Sequence, residues 1–142
     1  MPSVPSVTDL REKFRGWLHR EPKLVVPRTI LIVDNNAKNR GSTARLVESL
    51  GYQALQTATL AQALEQLDGH DPEFVLLAFD LDDASGLEAL AKIRQLDTDL
   101  PVVMLAADLW DTRVADAMRH GAIAYLPRPF GVDDLRELLG RR

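Results

Sequence analysis

Four aspartates give this sequence most of its reactive potential. Asp34 follows the apolar run 29–33, and Asp80, Asp82 and Asp83 follow a second apolar run at 73–79. A carboxylate can act as a nucleophile or as a ligand for a hard cation. Position 78, two residues before Asp80, is an alanine, and its methyl group can do neither.

The remaining candidates for chemistry are weaker. The chain has no cysteine, which excludes disulfides, thiolate metal sites and cysteine nucleophiles. Its three histidines lack metal-ligand spacing, and neither Ser42 nor Ser85 stands in a recognisable nucleophile turn. The polar stretch 35–43 lacks the hydroxyl-rich spacing of a flavodoxin-type phosphate loop, so we interpret it as an ordinary capped helix start. The sequence therefore predicts no metal and no cofactor.

From residue 29 onward, short apolar strands alternate with helical periodicity. The strand at 29–33 leads to Asn35 and Asn36, which offer an N-cap for a helix through Leu50, with Gly51 at its end. Four more units follow, with strands at 53–57, 73–79, 101–106 and 123–126 and helices near 60–67, 86–95, 112–120 and 132–139. Parallel neighbours need crossover connections, so these units predict an α/β fold with a five-stranded parallel sheet and helices on both faces.

The ends of these strands are where function is expected. In open parallel sheets, the functional crevice lies beyond the carboxyl ends of the strands. Asp34 and Asn35 end the first strand, and the later strands lead into residues 78–83, 106–108 and 128–130. We expect these segments to form one site.

An ordered set of motifs resembles the receiver domain of bacterial two-component response regulators. The motifs are residues 30–34, 51–52, 63–64, 72–77, 85–90, 93–94, 100–105, 121–122 and 125–130. Together they cover about residues 29–140, and their order makes the set specific. The resemblance implies a flavodoxin-like topology with strand order 2-1-3-4-5.

Carried over residue by residue, the resemblance implies a degenerate phosphorylation site. Receivers hold magnesium with two acids after the first strand; here Asp34 is kept, and Asn35 is a neutral and weaker ligand. The phosphoacceptor aspartate falls at Ala78, and the hydroxyl residue after the fourth strand falls at Ala106. The lysine that contacts the phosphoryl group falls at Arg128, whose planar head is bulkier.

Two further family features fall near the fifth strand. The switch aromatic corresponds to Tyr125, which we expect to be uncoupled because Ala106 has no hydroxyl. The resemblance also implies a cis bond between Arg128 and Pro129, and X–Pro bonds are the ones that adopt cis at low cost.

These features predict a receiver without enzymatic activity that serves as a phosphorylation-independent protein-interaction or adaptor module. The alternative is an atypical receiver that is still phosphorylated or cation-regulated through Asp80 and Asp34. Asp80 lies past the strand end and one step further from Arg128, so we prefer a solvated acidic loop. A protein partner, or a second copy of this chain in a homodimer, is expected on the face of the fourth helix, fifth strand and fifth helix. The candidate contact residues are Asp108, Trp110, Arg113, Asp116, Arg119, Asp133 and Arg136.

Charge is unevenly distributed along the chain. The net charge is −4, but residues 1–28 carry six basic and three acidic residues, a net +3, which leaves −7 on residues 29–142. An acidic main domain does not suit nucleic-acid binding, whose affinity comes largely from Lys and Arg. No apolar stretch approaches the roughly 20 residues that span a bilayer, so a cytoplasmic protein is predicted.

Residues 1–28 form a leader with a predicted amphipathic helix, ahead of the receiver-like domain at 29–142. From Thr8 as N-cap, one helical face carries Leu10, Phe14, Trp17 and Leu18, and basic residues lie elsewhere. Prolines at 22 and 27 predict an extended connection into the first strand. The helix is expected to pack on its own domain, to form a homodimer or dock a partner, or, least favoured, to lie on a membrane surface.

Overall fold

A computed structural model describes residues 28–140 as five strands that alternate with five helices. The strands are β1 (Thr29–Val33), β2 (Gln53–Thr57), β3 (Phe74–Ala78), β4 (Val102–Ala106) and β5 (Ala124–Pro127). The helices are α1 (Ala37–Ser49), α2 (Leu60–Gly69), α3 (Gly86–Leu96), α4 (Val114–Arg119) and α5 (Val132–Gly140). The predicted α/β architecture is confirmed.

The strands form one parallel sheet in the order β2-β1-β3-β4-β5, as predicted. Every residue of β1, β3 and β4 is buried, which explains their unbroken apolar sequences, since a central parallel strand is covered on both faces. The edge strands β2 and β5 are only partly buried, and β2 carries three polar residues. The apolar runs therefore mark the centre of the sheet.

Two hydrophobic cores cover the two faces of the sheet. Leu31 and Val33 of β1 pack with residues of α2, α3 and α4, and Ile30 and Ile32 pack on the other face with α1 and α5. Successive strand side chains point to opposite faces, so one apolar run supplies both cores.

Polar residues at the helix ends fix where the helices begin. The side chain of Asn36 accepts a hydrogen bond from the backbone N–H of Asn39 at the start of α1, and Thr59 and Ser85 cap α2 and α3 in the same way. Gly51 follows α1 with φ of 90°, a left-handed conformation that favours glycine. The predicted caps at both ends of α1 are confirmed.

The fourth helix is shorter than predicted, because it begins at Val114 and not near residue 112. The carboxylate of Asp108 accepts from the backbone N–H of Trp110, and that of Asp111 accepts from Ala107 and Arg113. Such local bonds compete with the helical pattern and hold the connection as turns. This folded connection lies directly beside the carboxyl end of β4.

The predicted leader helix, with Leu10, Phe14, Trp17 and Leu18, lies outside the described residues. The division of the chain at residue 28 therefore stays a prediction. Within residues 28–140, every helix is too short or too polar to cross a membrane.

Candidate functional site

A polar pocket of about 200 Å³ opens at the carboxyl ends of β1, β3 and β4. Its walls include Asp34, Ala78, Asp80, Arg113 and Arg128. Parallel topology places these strand ends at one edge of the sheet, which brings together residues that are far apart in the chain. The segments after β1, β3, β4 and β5, which the sequence analysis grouped together, all contribute residues to this pocket.

Asp34 lies at the base of the pocket with a side chain only 3% exposed. Its Oδ1 accepts a hydrogen bond from the backbone N–H of Asn36 (3.0 Å), and its Oδ2 lies 2.6 Å from a guanidinium nitrogen of Arg128. A buried carboxylate must be compensated, and these two donors compensate it. Asp34 is thus already neutralised by a cation from within the chain.

Arg128 reaches Asp34 from the turn after β5. Its backbone N–H donates to the carbonyl oxygen of Ala106 (3.1 Å), which holds the turn against the end of β4. The bond to Pro129 is cis, as predicted. The arginine side chain is 22% exposed, so the ion pair with Asp34 is largely shielded from water.

Ala78 ends β3 and is 6% exposed, with its methyl group at the wall of the pocket. The loop that follows returns tightly on itself, because the N–H of Gly86 donates to the carbonyl oxygen of Phe79 (2.6 Å). A Cβ atom at position 86 would lie 2.6 Å from the carbonyl oxygen of Ala78 and from Cα of Phe79. Glycine is therefore required where α3 begins.

The acidic loop after β3 is less free than the sequence indicated. Asp82 accepts a hydrogen bond from the side-chain amide of Asn35 (3.3 Å). Asp83 accepts from the backbone N–H groups of Leu60 and Ala61 at the start of α2 (2.9 and 3.0 Å), and these bonds lower the pKa of Asp83. Neither Asp82 nor Asp83 lines the pocket. Asp82 and Asp83 are both exposed, as expected for a solvated acidic loop, and the structure adds hydrogen bonds that the sequence did not indicate.

Asp80 does line the pocket, and Arg113 holds it. One guanidinium nitrogen of Arg113 lies 3.0 Å from both carboxylate oxygens of Asp80, whose side chain is 81% exposed. The same guanidinium donates twice to Asp111 (2.9 Å each) and stacks over the ring of Phe79 at 4.6 Å. We call Asp80, Asp111 and Arg113 the arginine bridge, because they join the loops after β3 and β4.

Within the arginine bridge, the ion pair between Arg113 and Asp111 is the more buried one, since the side chain of Asp111 is only 4% exposed. Hydrogen bonds from the Arg113 guanidinium hold the pKa of Asp111 well below its usual range, and the same contacts raise the pKa of Arg113. Both groups are therefore charged throughout the physiological range. Sequence reasoning placed Arg113 on a partner surface and missed Asp111 altogether.

Comparison with known proteins decides the family. The family model for the response regulator receiver domain matches residues 30–140. This chain belongs to the receiver domain family.

Relatives of known role resemble this receiver domain over most of its length. It is 32% identical over 119 residues to the phosphate regulon transcriptional regulatory protein PhoB of Pseudomonas aeruginosa, covering 82% of this chain and 51% of that protein. It is 29% identical over 113 residues to the chemotaxis protein CheY of Bacillus subtilis, covering 79% and 94% of the two chains. The chain thus spans about half of the first relative and nearly all of the second.

Solved structures resemble the same region. A CheY-like receiver domain protein from Methanospirillum hungatei has a TM-score of 0.73 at 26% identity, covering 81% of this chain and 92% of that one. NtrX from Brucella abortus has a TM-score of 0.75 at 27% identity, covering 80% of this chain and 26% of that one. These similarities support the assignment to receivers of two-component signalling.

The residues of this receiver domain do not fit a magnesium ion. Asp34 already binds Arg128 and the Asn36 N–H, and position 78 offers only a methyl group. Asn35, the second predicted position, is neutral and donates its amide to Asp82. Within residues 28–140, no group of three or more histidine or acidic side chains is placed to hold a metal ion.

Two predicted positions lie away from the pocket. Ala106 is fully buried, and its neighbours Leu105 and Ala107 line the pocket in its place. Tyr125 is 41% exposed on the edge strand β5. Asp34, Asn35, Ala78 and Arg128 therefore line one pocket, whereas Ala106 and Tyr125 do not line it.

The predicted partner surface of this receiver domain is partly paired with itself. Arg119 lies 3.4 Å from Asp116, and Arg136 lies 2.8 Å from Asp133. Trp110 is 84% exposed and its neighbour Leu109 is 67% exposed. The predicted surface therefore carries exposed charges in short-range pairs and, in the connection before α4, two exposed apolar side chains.

Proposed function

We propose that this receiver domain is a pseudo-receiver, a phosphorylation-independent protein-interaction or adaptor module of bacterial signalling in the cytoplasm. Relatives include a transcriptional regulator and a chemotaxis protein, so a protein partner of the receiver is the expected mode of action. No enzymatic activity is part of the proposal.

The observation that carries the proposal is the ion pair between Asp34 and Arg128. In a phosphorylatable receiver, the resemblance implies a divalent cation on this carboxylate and an aspartate at position 78. Here the guanidinium at 2.6 Å occupies the Asp34 carboxylate, and Ala78 supplies no nucleophile. The buried Asp34 carboxylate is thus compensated by a cation of the chain itself, at the position where the family has a lysine, and it needs no bound metal ion to stay in the fold.

The arginine bridge supports a single arrangement of the loops. Arg113 ties the connection before α4, through Asp111, to the loop after β3, through Asp80. Phosphorylation switches act by adding charge that re-pairs a movable segment. Since this segment already has its charged partners, we infer that the domain presents one constant surface that includes Leu109 and Trp110.

A second candidate function is favoured by the exposure of Asp80. Its carboxylate lines the pocket and its side chain is 81% exposed, so a small phosphodonor could reach it. Against this, both oxygens of Asp80 contact Arg113. The carboxylates that would bind a divalent cation, whose charge would offset that of an incoming phosphoryl group, are also missing at positions 35 and 78. We therefore rank an atypical phosphoacceptor below the pseudo-receiver.

The experiment that tests the proposal is incubation of the full chain with acetyl phosphate and magnesium, followed by intact mass. We expect no phosphoryl adduct, while a receiver that retains the family's aspartate is labelled in parallel as the positive control. A stoichiometric adduct that disappears in Asp80→Asn but persists in Asp82→Asn would overturn the proposal in favour of the second function. An adduct on any other residue would also overturn it.

Cation binding tests the same site independently. We expect isothermal titration with magnesium to show no saturable binding in the micromolar range, because hard cations need several oxygen ligands. Saturable binding that is lost in Asp34→Asn would contradict the role given to Arg128. The matched control is Asp133→Asn, which removes an exposed carboxylate away from the pocket.

A further inference from the structure

A groove of about 270 Å³ lies between the carboxyl-terminal ends of α2 and α3. It is at the edge where the strands begin, since its lining includes Pro72 just before β3 and Leu100 just before β4. Leu67, Leu96 and Leu100 give it an apolar floor, and Leu96 is 63% exposed. This is the opposite edge of the sheet from the polar pocket.

The rim of the groove is acidic. Asp68, Asp71 and Asp97 line it, and no lysine or arginine of residues 28–140 does. Asp97 accepts hydrogen bonds from the N–H groups of Asp99 and Leu100, whereas Asp68 and Asp71 form no ion pair within the described part of the chain. An apolar floor with unpaired carboxylates at its rim suits a segment that is apolar on one side and basic on the other.

The start of the described chain lies beside this groove. The carbonyl oxygen of Arg28 accepts from the N–H of Gln53, and its guanidinium lies 4.0 Å from Glu73, the residue that follows Pro72 of the groove. Thr29 accepts the N–H of Glu73 at 2.8 Å. Residues before Arg28 are thereby attached next to the groove.

We propose that the leader segment 8–20 docks in this groove. The segment is apolar at Leu10, Phe14, Trp17 and Leu18, which match the leucine floor. It is basic at Arg11, Lys13, Arg15 and Arg20, which match the aspartate rim. The inference does not depend on whether the domain is phosphorylated.

The length of the connection favours docking within one chain. Nine residues separate Leu18 from Arg28, and an extended connection of that length reaches roughly 30 Å. Helix α3, which forms one wall of the groove, has 11 residues and is about 16 Å long. The leader therefore reaches the whole groove, and the short connection gives it a high effective concentration there.

Tryptophan fluorescence can test the docking, because the full chain has only two tryptophans. In a Trp110→Phe background, which changes a side chain that is 84% exposed, Trp17 is the sole reporter. We expect its emission to be blue-shifted and protected from acrylamide quenching. Adding Leu96→Lys should shift the emission to the red and raise quenching, because it places a cation on the groove floor.

The matched control is Leu109→Lys in the same background. Leu109 is 67% exposed, close to the 63% of Leu96, but it lies outside the groove, so this change should leave Trp17 protected. Should Leu96→Lys fail to fold, as judged by circular dichroism, Asp68→Lys with Asp71→Lys replaces it. The matching control is then Glu48→Lys with Glu65→Lys, which reverses two exposed acids elsewhere.

Each outcome decides the proposal. Loss of protection in the groove variant alone, at a monomeric mass by light scattering, supports docking within the chain. A Trp17 that is fully quenched before any groove change would overturn it, as would equal effects of the groove and control variants. Protection that falls on dilution together with a doubled mass would overturn it in favour of a second copy of the chain.

Discussion

Replacing Arg128 by methionine tests whether the ion pair with Asp34 stabilises the fold. The substitution keeps an unbranched apolar side chain but removes the guanidinium 2.6 Å from Asp34. Asp34 would then be left with a side chain only 3% exposed and one remaining donor, the N–H of Asn36. Breaking a buried pair by removing one partner costs about 3–5 kcal/mol.

Two features of the pair set the expected value at the lower end of that range. Arg128 is 22% exposed, so water can enter when the guanidinium is removed, and the Asn36 N–H continues to bind Asp34. We expect Arg128→Met to lower the free energy of unfolding by about 3 kcal/mol. At roughly 4 °C per kcal/mol for a chain of this size, the melting temperature should fall by about 12 °C.

Urea denaturation at pH 7 provides the measurement, with Arg136→Met as the control. Arg136 also pairs with an aspartate, but the two side chains are 64% and 89% exposed, and such a pair contributes less than about 1 kcal/mol. The double variant Arg128→Met with Asp34→Asn should lose less stability than the sum of the two single variants. If Arg128→Met costs no more stability than Arg136→Met, the claim that Arg128 compensates the buried Asp34 carboxylate is refuted.

Other predictions concern the loop closure after β3, the helix α1 and the arginine bridge. Gly86→Ala should lower the free energy of unfolding by about 1–3 kcal/mol, because its Cβ would lie 2.6 Å from the backbone. Gly41→Ala, inside α1 with open space around it, should raise the free energy of unfolding by as much as about 1 kcal/mol. The urea midpoints of the two variants measure both changes. The folded-state pKa of Asp111 lies below the unfolded value of about 3.9, so its ion pair stabilises the fold above that pH and the contribution is lost as pH falls through the folded pKa. Asp111→Asn should therefore lower stability at pH 7, and urea titrations at pH 7 and below pH 4 should show the difference from wild type shrinking; a constant difference would contradict the assignment.

The fold could be predicted because its signals are local. The apolar run of β1 predicts a buried strand without knowledge of its neighbours, and Asn36 and Gly51 mark the two ends of α1. The strand order does not follow from such patterns, and it was predicted through the resemblance to receivers. The start of α4 was misplaced because the Asp111 carboxylate accepts hydrogen bonds from nearby backbone N–H groups and holds the preceding residues as turns. The position of that carboxylate depends in turn on its ion pair with Arg113, which the sequence pattern does not show.

The candidate site was predictable only in part. The site positions 78 and 35 could be identified by their distance in the sequence from recognisable motifs. The loss of a carboxylate at each position is visible in the sequence itself and requires no structure. The contact between Asp80 and Arg113 spans 33 residues, and Asp83 binds the start of α2, 22 and 23 residues away. Surface acids carry no sequence signal for such partners, because many exposed arginines and helix starts could donate hydrogen bonds to them equally well.

The presence of Asp34 in a site whose position 78 is an alanine has a structural explanation. Its Oδ1 binds the N–H of Asn36, the residue that caps α1, and its own N–H donates to the carbonyl oxygen of Thr57 in β2. Its backbone carbonyl accepts from the side chain of Arg40, and its Oδ2 binds Arg128. A carboxylate that joins β1 to α1 and to the turn after β5 has a structural role that does not require a bound cation. A retained aspartate at this position is therefore evidence for the architecture of a receiver and not for its phosphorylation.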